Sequence, residues 1–196
     1  GPAKRDPVRR EMKTTTNFEK HTSKNPLKQF FFNNFEKNLI SLIAPLTPEK
    51  ILDAGCGEGF TLERLCELKI GKNLEGIDAG KAAISIGKRL YPYLDIKVGD
   101  IYNLPYKDNA FDLVTCMEVL EHLEDPKKAL KEVARVSKKY ILLTVPNEPL
   151  FIIFNYTRCG QDICHINKWS SWRFKEFIIK NSELRIVATK HPFPWT

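Results

Sequence analysis

Two hydrophobic rhythms alternate along this chain. Over 25–46 apolar side chains recur at helical spacing (Leu27, Phe31, Phe35, Leu39, Leu42), and Pro45 with Pro48 ends the pattern, which predicts an amphipathic N-terminal helix. Beyond it, short β-rich runs trade places with helical ones. They read ILDAG, a helix over 60–68, NLEGID, a helix over 81–90, LDIKVGD, FDLVTCM, a helix over 126–136 and YILLTV. Strands separated by helices at this spacing are joined by crossovers, which are right-handed and place the strands parallel. The predicted fold is therefore α/β, a doubly wound, mostly parallel sheet with helices on both faces. After Val145 the rhythm breaks over 146–168, then resumes as a helix over 171–180 and a strand over 184–190. Long connections in a compact domain are usually functional, and the aromatic stretch 151–156 reads as a lid or substrate wall, with core packing the competing reading.

Composition narrows the class. A chain of 196 residues that is 42% hydrophobic has the size of one domain with a real core. No run approaches the roughly 18 apolar residues that span a bilayer, and the start lacks a signal-peptide pattern, so a cytoplasmic protein with no membrane partner is expected. The five cysteines are odd in number and most sit in apolar runs, which argues against a disulfide framework. Cys159 and Cys164 are spaced C-x4-C with no second pair to complete a zinc site. Of the formal net charge of +7, the segment GPAKRDPVRRE contributes four basic and two acidic residues, or +2. Its Gly-Pro start, followed by Met12, marks 1–11 as an expression scar and 12–196 as a single domain. The remaining +5 (7 minus 2) fits a lysine-rich solvated surface better than a polyanion groove.

The chemistry begins at Asp53-Ala54-Gly55-Cys56-Gly57-Glu58-Gly59, directly after a predicted strand and before a helix. Glycines there let the backbone turn tightly and approach a ligand. The spacing is G-x-G-x-G with a carboxylate two residues ahead, unlike the G-x-G-x-x-G that seats a pyrophosphate on a helix N-terminus. A carboxylate would repel a diphosphate but suits a sulfonium and an ammonium group. Asp78 ends the next strand, where an acidic side chain either accepts from both ribose hydroxyls or caps the following helix. Asp100 ends the third strand, placed to accept from an adenine amino group while Ile101 packs on the ring.

Together DAGCGEG, GID, GDIYNLPYKDNAFDLV and MEVLEHLEDP resemble the class I methyltransferases that use S-adenosylmethionine (SAM), over roughly residues 25–190. The resemblance implies a Rossmann-like fold with SAM as cofactor. Gly55, Cys56 and Gly57 would lie against its methionine part, Asp78 and Ala79 at the ribose, Asp100 and Ile101 at the adenine, with Met117 and Glu118 closing over the sulfonium and Asp53 beside it. Lys24 and Lys28 could meet the SAM carboxylate, and a solvated helix face explains them equally. The family ends its sheet with an antiparallel seventh strand. This chain offers a sixth strand and then stops, so the last strand is expected to be missing or supplied by another copy across an exposed edge.

In Glu118-Val119-Leu120-Glu121-His122, residues three and four apart share one face of a first helical turn at the carboxyl edge of the sheet. Two carboxylates and an imidazole fit a divalent metal ion, and capping of the loop is the competing reading. The E-x-x-E-H pattern is similar to that of ubiquinone-biosynthesis O-methyltransferases and small-RNA 2′-O-methyltransferases. The RNA group adds a histidine ligand in a stretch ending H-x-F-E-W. His165 and Trp169 match it, while Asn167-Lys168 stands where that group has Phe-Glu. The resemblance thus implies a metal on Glu118, Glu121, His122 and His165. Without one, His122 or His165 would take the proton. Methyl transfer from SAM to the oxygen or nitrogen of a small molecule, metal-assisted, is the leading expectation. The alternatives are 2′-O-methylation of an RNA 3′ end and a noncatalytic SAM-binding or partner-binding domain; the glycine spacing disfavours a dinucleotide-dependent oxidoreductase.

Overall fold

The computed structural model describes residues 16–147 and 165–192. Its elements run α1 (Thr16–His21), α2 (Pro26–Ile43), β1 (Lys50–Ala54), α3 (Phe60–Glu67), β2 (Asn73–Asp78) and α4 (Lys81–Leu90). They continue as β3 (Asp95–Val98), β4 (Phe111–Met117), α5 (Pro126–Val136), β5 (Ser137–Thr144) and α6 (Ser171–Asn181). The five strands form one sheet in the order β3-β2-β1-β4-β5, every pair parallel. The chain reverses its winding between β1 and β4, the crevice where doubly wound sheets bind ligands.

Local chemistry sets the helix starts. Asn25 accepts from the Leu27 and Lys28 amides ahead of Pro26, Asp125 accepts from Lys128 ahead of Pro126, and Ser170 accepts from Arg173. Alternation along β1 then assigns the two faces. Ile51 packs with Leu39 and Ile43 of α2 and Leu65 of α3, whereas Leu52 and Ala54 pack with Ala129 and Val133 of α5 and Phe174 and Ile178 of α6. Burial of each of the larger of these side chains contributes about 1.5–3 kcal/mol, and both faces are covered, as a parallel sheet requires.

Two expectations need correction. Leu27 was assigned to the inward face of the N-terminal helix but is 63% exposed; α2 buries only Leu39 and Ile43, because the helix reaches the sheet with its second half. The predicted strand over 184–190 does not form. Leu184 and Ile186 are half-buried and alternate with exposed Arg185 and Val187, so the side-chain pattern is right. A strand also needs backbone partners, and a cleft of about 520 Å³ lies between this segment and β5, lined from both sides. Among the described residues β5 is therefore the outer strand, and no antiparallel strand occurs. Also among them, no helix is long and apolar enough to cross a membrane. The segment 1–11, the aromatic stretch 151–156, Cys159 and Cys164 lie outside the described residues.

Candidate functional site

The glycine turn is held by its own backbone. The Gly55 and Cys56 amides both donate to the Ile77 carbonyl at 2.7 and 3.0 Å, which pulls the end of β1 onto β2. Gly55 (φ 92°) and Gly57 (φ 53°) occupy left-handed backbone that favours glycine. Space demands it too: a Cβ on Gly55 would come within 2.2 Å of Val119 Cγ2, and one on Gly57 within 2.9 Å of Asn17 Nδ2. Asp78 secures the turn from the next strand, its Oδ2 accepting from the Gly57 amide at 2.9 Å and its Oδ1 from the Gly80 amide at 2.6 Å. The capping reading of Asp78 is not met, since Gly80 is the N-cap of α4 and no side chain caps that helix, while each carboxylate oxygen of Asp78 keeps a further lone pair. Asp100 accepts from the Tyr102 amide at 2.8 Å, which bends the loop after β3 and leaves its carboxylate exposed, while Ile101 is buried.

A cavity of about 270 Å³ opens on the α2 side of this turn. Of the predicted cofactor residues, Asp53, Gly55, Cys56 and Met117 line it, as does Glu118. Ala79 and Asp100 stand outside it, exposed, and Asp78 is half-buried at the end of β2. Asp53 is buried at the end of β1, and burial pushes its carboxyl up to about 7, opposed by a hydrogen bond from Thr115 and reinforced by the Asp78 charge. Burial and the nearby carboxylates push the Cys56 thiol up, so Cys56 is a wall and not a nucleophile.

Helix α1 roofs the cavity, an element the hydrophobic pattern did not reveal because six residues are too few to show a period. Asn17 donates to the buried Glu58 carboxylate, and the His21 ring stacks on Phe60 at 4.0 Å with its edge toward Phe32. The cation at the cavity is Arg64, ion-paired with Glu36 at 3.3 Å and Glu67 at 2.8 Å. Lys24 and Lys28 are exposed and take no part in the lining. Arg64 was legible as a residue four positions into α3, but nothing in its spacing said that it turns toward α2.

The exit of β4 departs from the sequence reading in one respect. Only Leu120–His122 forms a turn of 3-10 helix, and Glu118 precedes it in left-handed backbone (φ 56°), so Glu118 and Glu121 do not share a helical face. The Glu118 amide donates to the Thr144 carbonyl at 3.0 Å and its carboxylate accepts from the Thr144 hydroxyl at 3.2 Å. What the fold does bring together is Glu121, His122 and His165, with one ligand atom from each all within 4.8 Å of one another. The two imidazole rings lie 5.0 Å apart edge to face, and Glu121 is buried beneath them. Asn167 makes this meeting happen. Its side chain donates to the Leu120 and Leu123 carbonyls at 3.2 and 2.7 Å, and its amide donates to the Glu121 carbonyl at 2.9 Å. The residue that departs from the RNA-group pattern is therefore the one that pins His165 beside His122. Trp169 packs on Phe174 and Phe177 and anchors the start of α6.

Part of the chain is similar to known proteins. Residues 52–142 match the family model described as a methyltransferase domain. The chain is 38% identical over 101 residues to the ubiquinone biosynthesis O-methyltransferase of Thiobacillus denitrificans, covering 48% of this chain and 42% of that protein. It is 32% identical over 100 residues to the demethylmenaquinone methyltransferase of Renibacterium salmoninarum, covering 51% and 41%. The matches span less than half the length of these relatives. In fold, the chain resembles the magnesium protoporphyrin IX methyltransferase of Synechocystis, solved with bound SAH. The TM-score is 0.61, with 17% identity and 85% of this chain and 84% of that one covered. Over residues 52–142 the chain is thus similar in sequence to a methyltransferase domain, and its fold is similar to that of a solved methyltransferase.

Proposed function

We propose that this chain transfers a methyl group from SAM to an oxygen or nitrogen of a small molecule. The observation that carries the proposal is Asp53, a buried carboxylate at the floor of a 270 Å³ cavity beside two left-handed glycines, with a second acidic strand end, Asp78, next to it. Bound there, SAM supplies a methyl group on positively charged sulfur, so little covalent work is left to the protein. Asp53 and Glu118 set negative charge where the ligand's sulfonium and ammonium are expected. Arg64 offers a guanidinium to its carboxylate, Asp78 the lone pairs for its ribose hydroxyls, and Asp100 with Ile101 the edge and face for its adenine.

On the acceptor side, His122 and His165 stand at the exit of the same strand that carries Met117, placed to take a proton from a hydroxyl or amine. One carboxylate and two imidazoles within 4.8 Å are also a donor set suited to a borderline divalent ion. Glu121, His122 and His165 would hold it, and it would lower the pKa of a bound hydroxyl. The relatives named for ubiquinone and demethylmenaquinone synthesis support a small aromatic or quinone-like acceptor. Calorimetry with S-adenosylhomocysteine (SAH) and NAD tests the core of the reading. Binding of SAH without NAD is expected; binding of NAD without SAH overturns it. Titration with zinc, manganese or magnesium against wild type and His165→Ala tests the metal: saturable binding lost in the variant supports it, and equal binding by both removes it.

A further inference from the structure

Asp53 has a partner that neither the glycine motif nor the acceptor side accounts for. On β1 the residues turned toward α2 are Ile51 and Asp53. On β4 they are Leu113 and Thr115, and Asp53 and Thr115 are register partners across the winding reversal. Both are buried, Thr115 completely. Thr115 Oγ1 lies 2.7 Å from Asp53 Oδ1 and 3.4 Å from the Leu52 carbonyl oxygen. A hydroxyl carries one hydrogen and two lone pairs. Facing an ionised Asp53, Thr115 donates to it; facing a protonated Asp53, it accepts and turns its own hydrogen to Leu52. Valine is the commoner solution at a buried, β-branched strand position, and a threonine there retains a polar atom for which the apolar core has no other use.

We infer that Thr115 is a positioning residue that holds Asp53 ionised and oriented at the floor of the cavity, and thereby sets the lower pH limit of cofactor binding. The inference rests on the SAM reading above. Its hydrogen bond opposes the burial that pushes the Asp53 carboxyl up to about 7, so the balance falls where a small change in one donor matters. The other groups facing Asp53 do not supply that balance. Asp78 at the end of β2 raises its pKa further. Cys56 in the glycine turn and Cys116 beside Thr115 are both pushed well up by burial and the neighbouring carboxylates, and so stay neutral across the range. From α1, α2, α3 and the β4 exit the same cavity receives His21, Glu36, Glu63, Arg64, Glu67 and Glu118, which remain in every variant compared. A ligand that binds only the ionised carboxylate has its apparent affinity reduced by the protonated fraction, about tenfold for each pH unit below the pKa.

The test is the SAH dissociation constant of wild type, Thr115→Val and Thr115→Ser between pH 6 and 8.5. Valine keeps the shape and removes the donor; serine keeps the donor. Expected is an acid limb near pH 7 in wild type that moves up by about one pH unit in T115V. The variant then binds about fivefold more weakly at pH 7 and within about twofold of wild type at pH 8.5, with T115S following wild type. A uniform loss at every pH in T115V, or an unmoved limb, overturns the inference and leaves Thr115 a packing residue. Wild type that fails to bind SAH at any pH overturns the cofactor reading first and this inference with it, so the two failures are separable.

Discussion

Around Gly55 and Gly57 the backbone itself makes the site: amides on the Ile77 carbonyl, left-handed turns, and one carboxylate from the neighbouring strand. Around His122 the site is made by a meeting of segments more than forty residues apart, stitched by three hydrogen bonds from Asn167. The first region is built largely from neighbouring residues, the second assembled. A local site leaves its signature in consecutive letters, and an assembled one leaves only residue types scattered along the chain. The contrast also bears on damage, since a fault in the first should cost cofactor affinity and a fault in the second should cost turnover alone.

The largest effect that separates the two is His165→Ala. SAH release with phenolic or amine acceptors should fall by about 10²- to 10⁴-fold, the usual worth of a placed proton acceptor, while SAH affinity stays within twofold. A parallel loss of SAH affinity would erase the division. Gly55→Ala is the converse. Its Cβ would clash with Val119 in left-handed backbone, and overpacking plus that strain cost about 2–4 kcal/mol, so SAH affinity should drop by at least about 30-fold. Retained affinity in G55A would show that the turn yields more than its geometry allows. Asn167→Ala should reduce turnover by about tenfold at unchanged SAH affinity, the loss of roughly one buried hydrogen-bonding group, with the melting temperature reporting any wider collapse.

A last effect concerns charge and is read in stability, not in binding or turnover. Folded Asp53 titrates at about 7, whereas an unfolded aspartate titrates near 3.9, so the folded chain holds a proton that the unfolded chain has released. Stability from this group is present below about pH 4, is lost as pH rises toward 7, and is level above that. The melting temperature of wild type relative to Asp53→Asn should therefore decline across that window, and a constant difference would place Asp53 in water. SAH should offset the decline in wild type alone.

Much of the donor side was legible because each strand is a short apolar run closed by a turn signal; β2, β4, α4 and α5 begin and end where the pattern placed them. The strand over 184–190 was misread because its alternation reports a buried face and says nothing of a backbone partner. Glu118 was misread because E-x-x-E-H was given helical periodicity from its first residue, while a positive φ at that residue delays the turn. Arg64, Asn17 and His21 escaped because their roles depend on α1 and α2 folding over the glycine turn. Asn167 looked like a departure from a pattern, and only its three carbonyl partners reveal what it does.

Glu118 divides the strand edge at a single residue. Ordinary side chains adopt its left-handed backbone at a cost of about 1–2 kcal/mol. That reversal turns its carboxylate toward the cofactor cavity and sends the following residues off toward the histidines. Residue 118 is thus a natural splice point. Recombinants that keep everything up to it, together with Val119 against Gly55, and exchange 120–123 with 165–169 should inherit one parent's cofactor and the other parent's acceptor, which makes this edge a place where new specificities can be bred without rebuilding the fold.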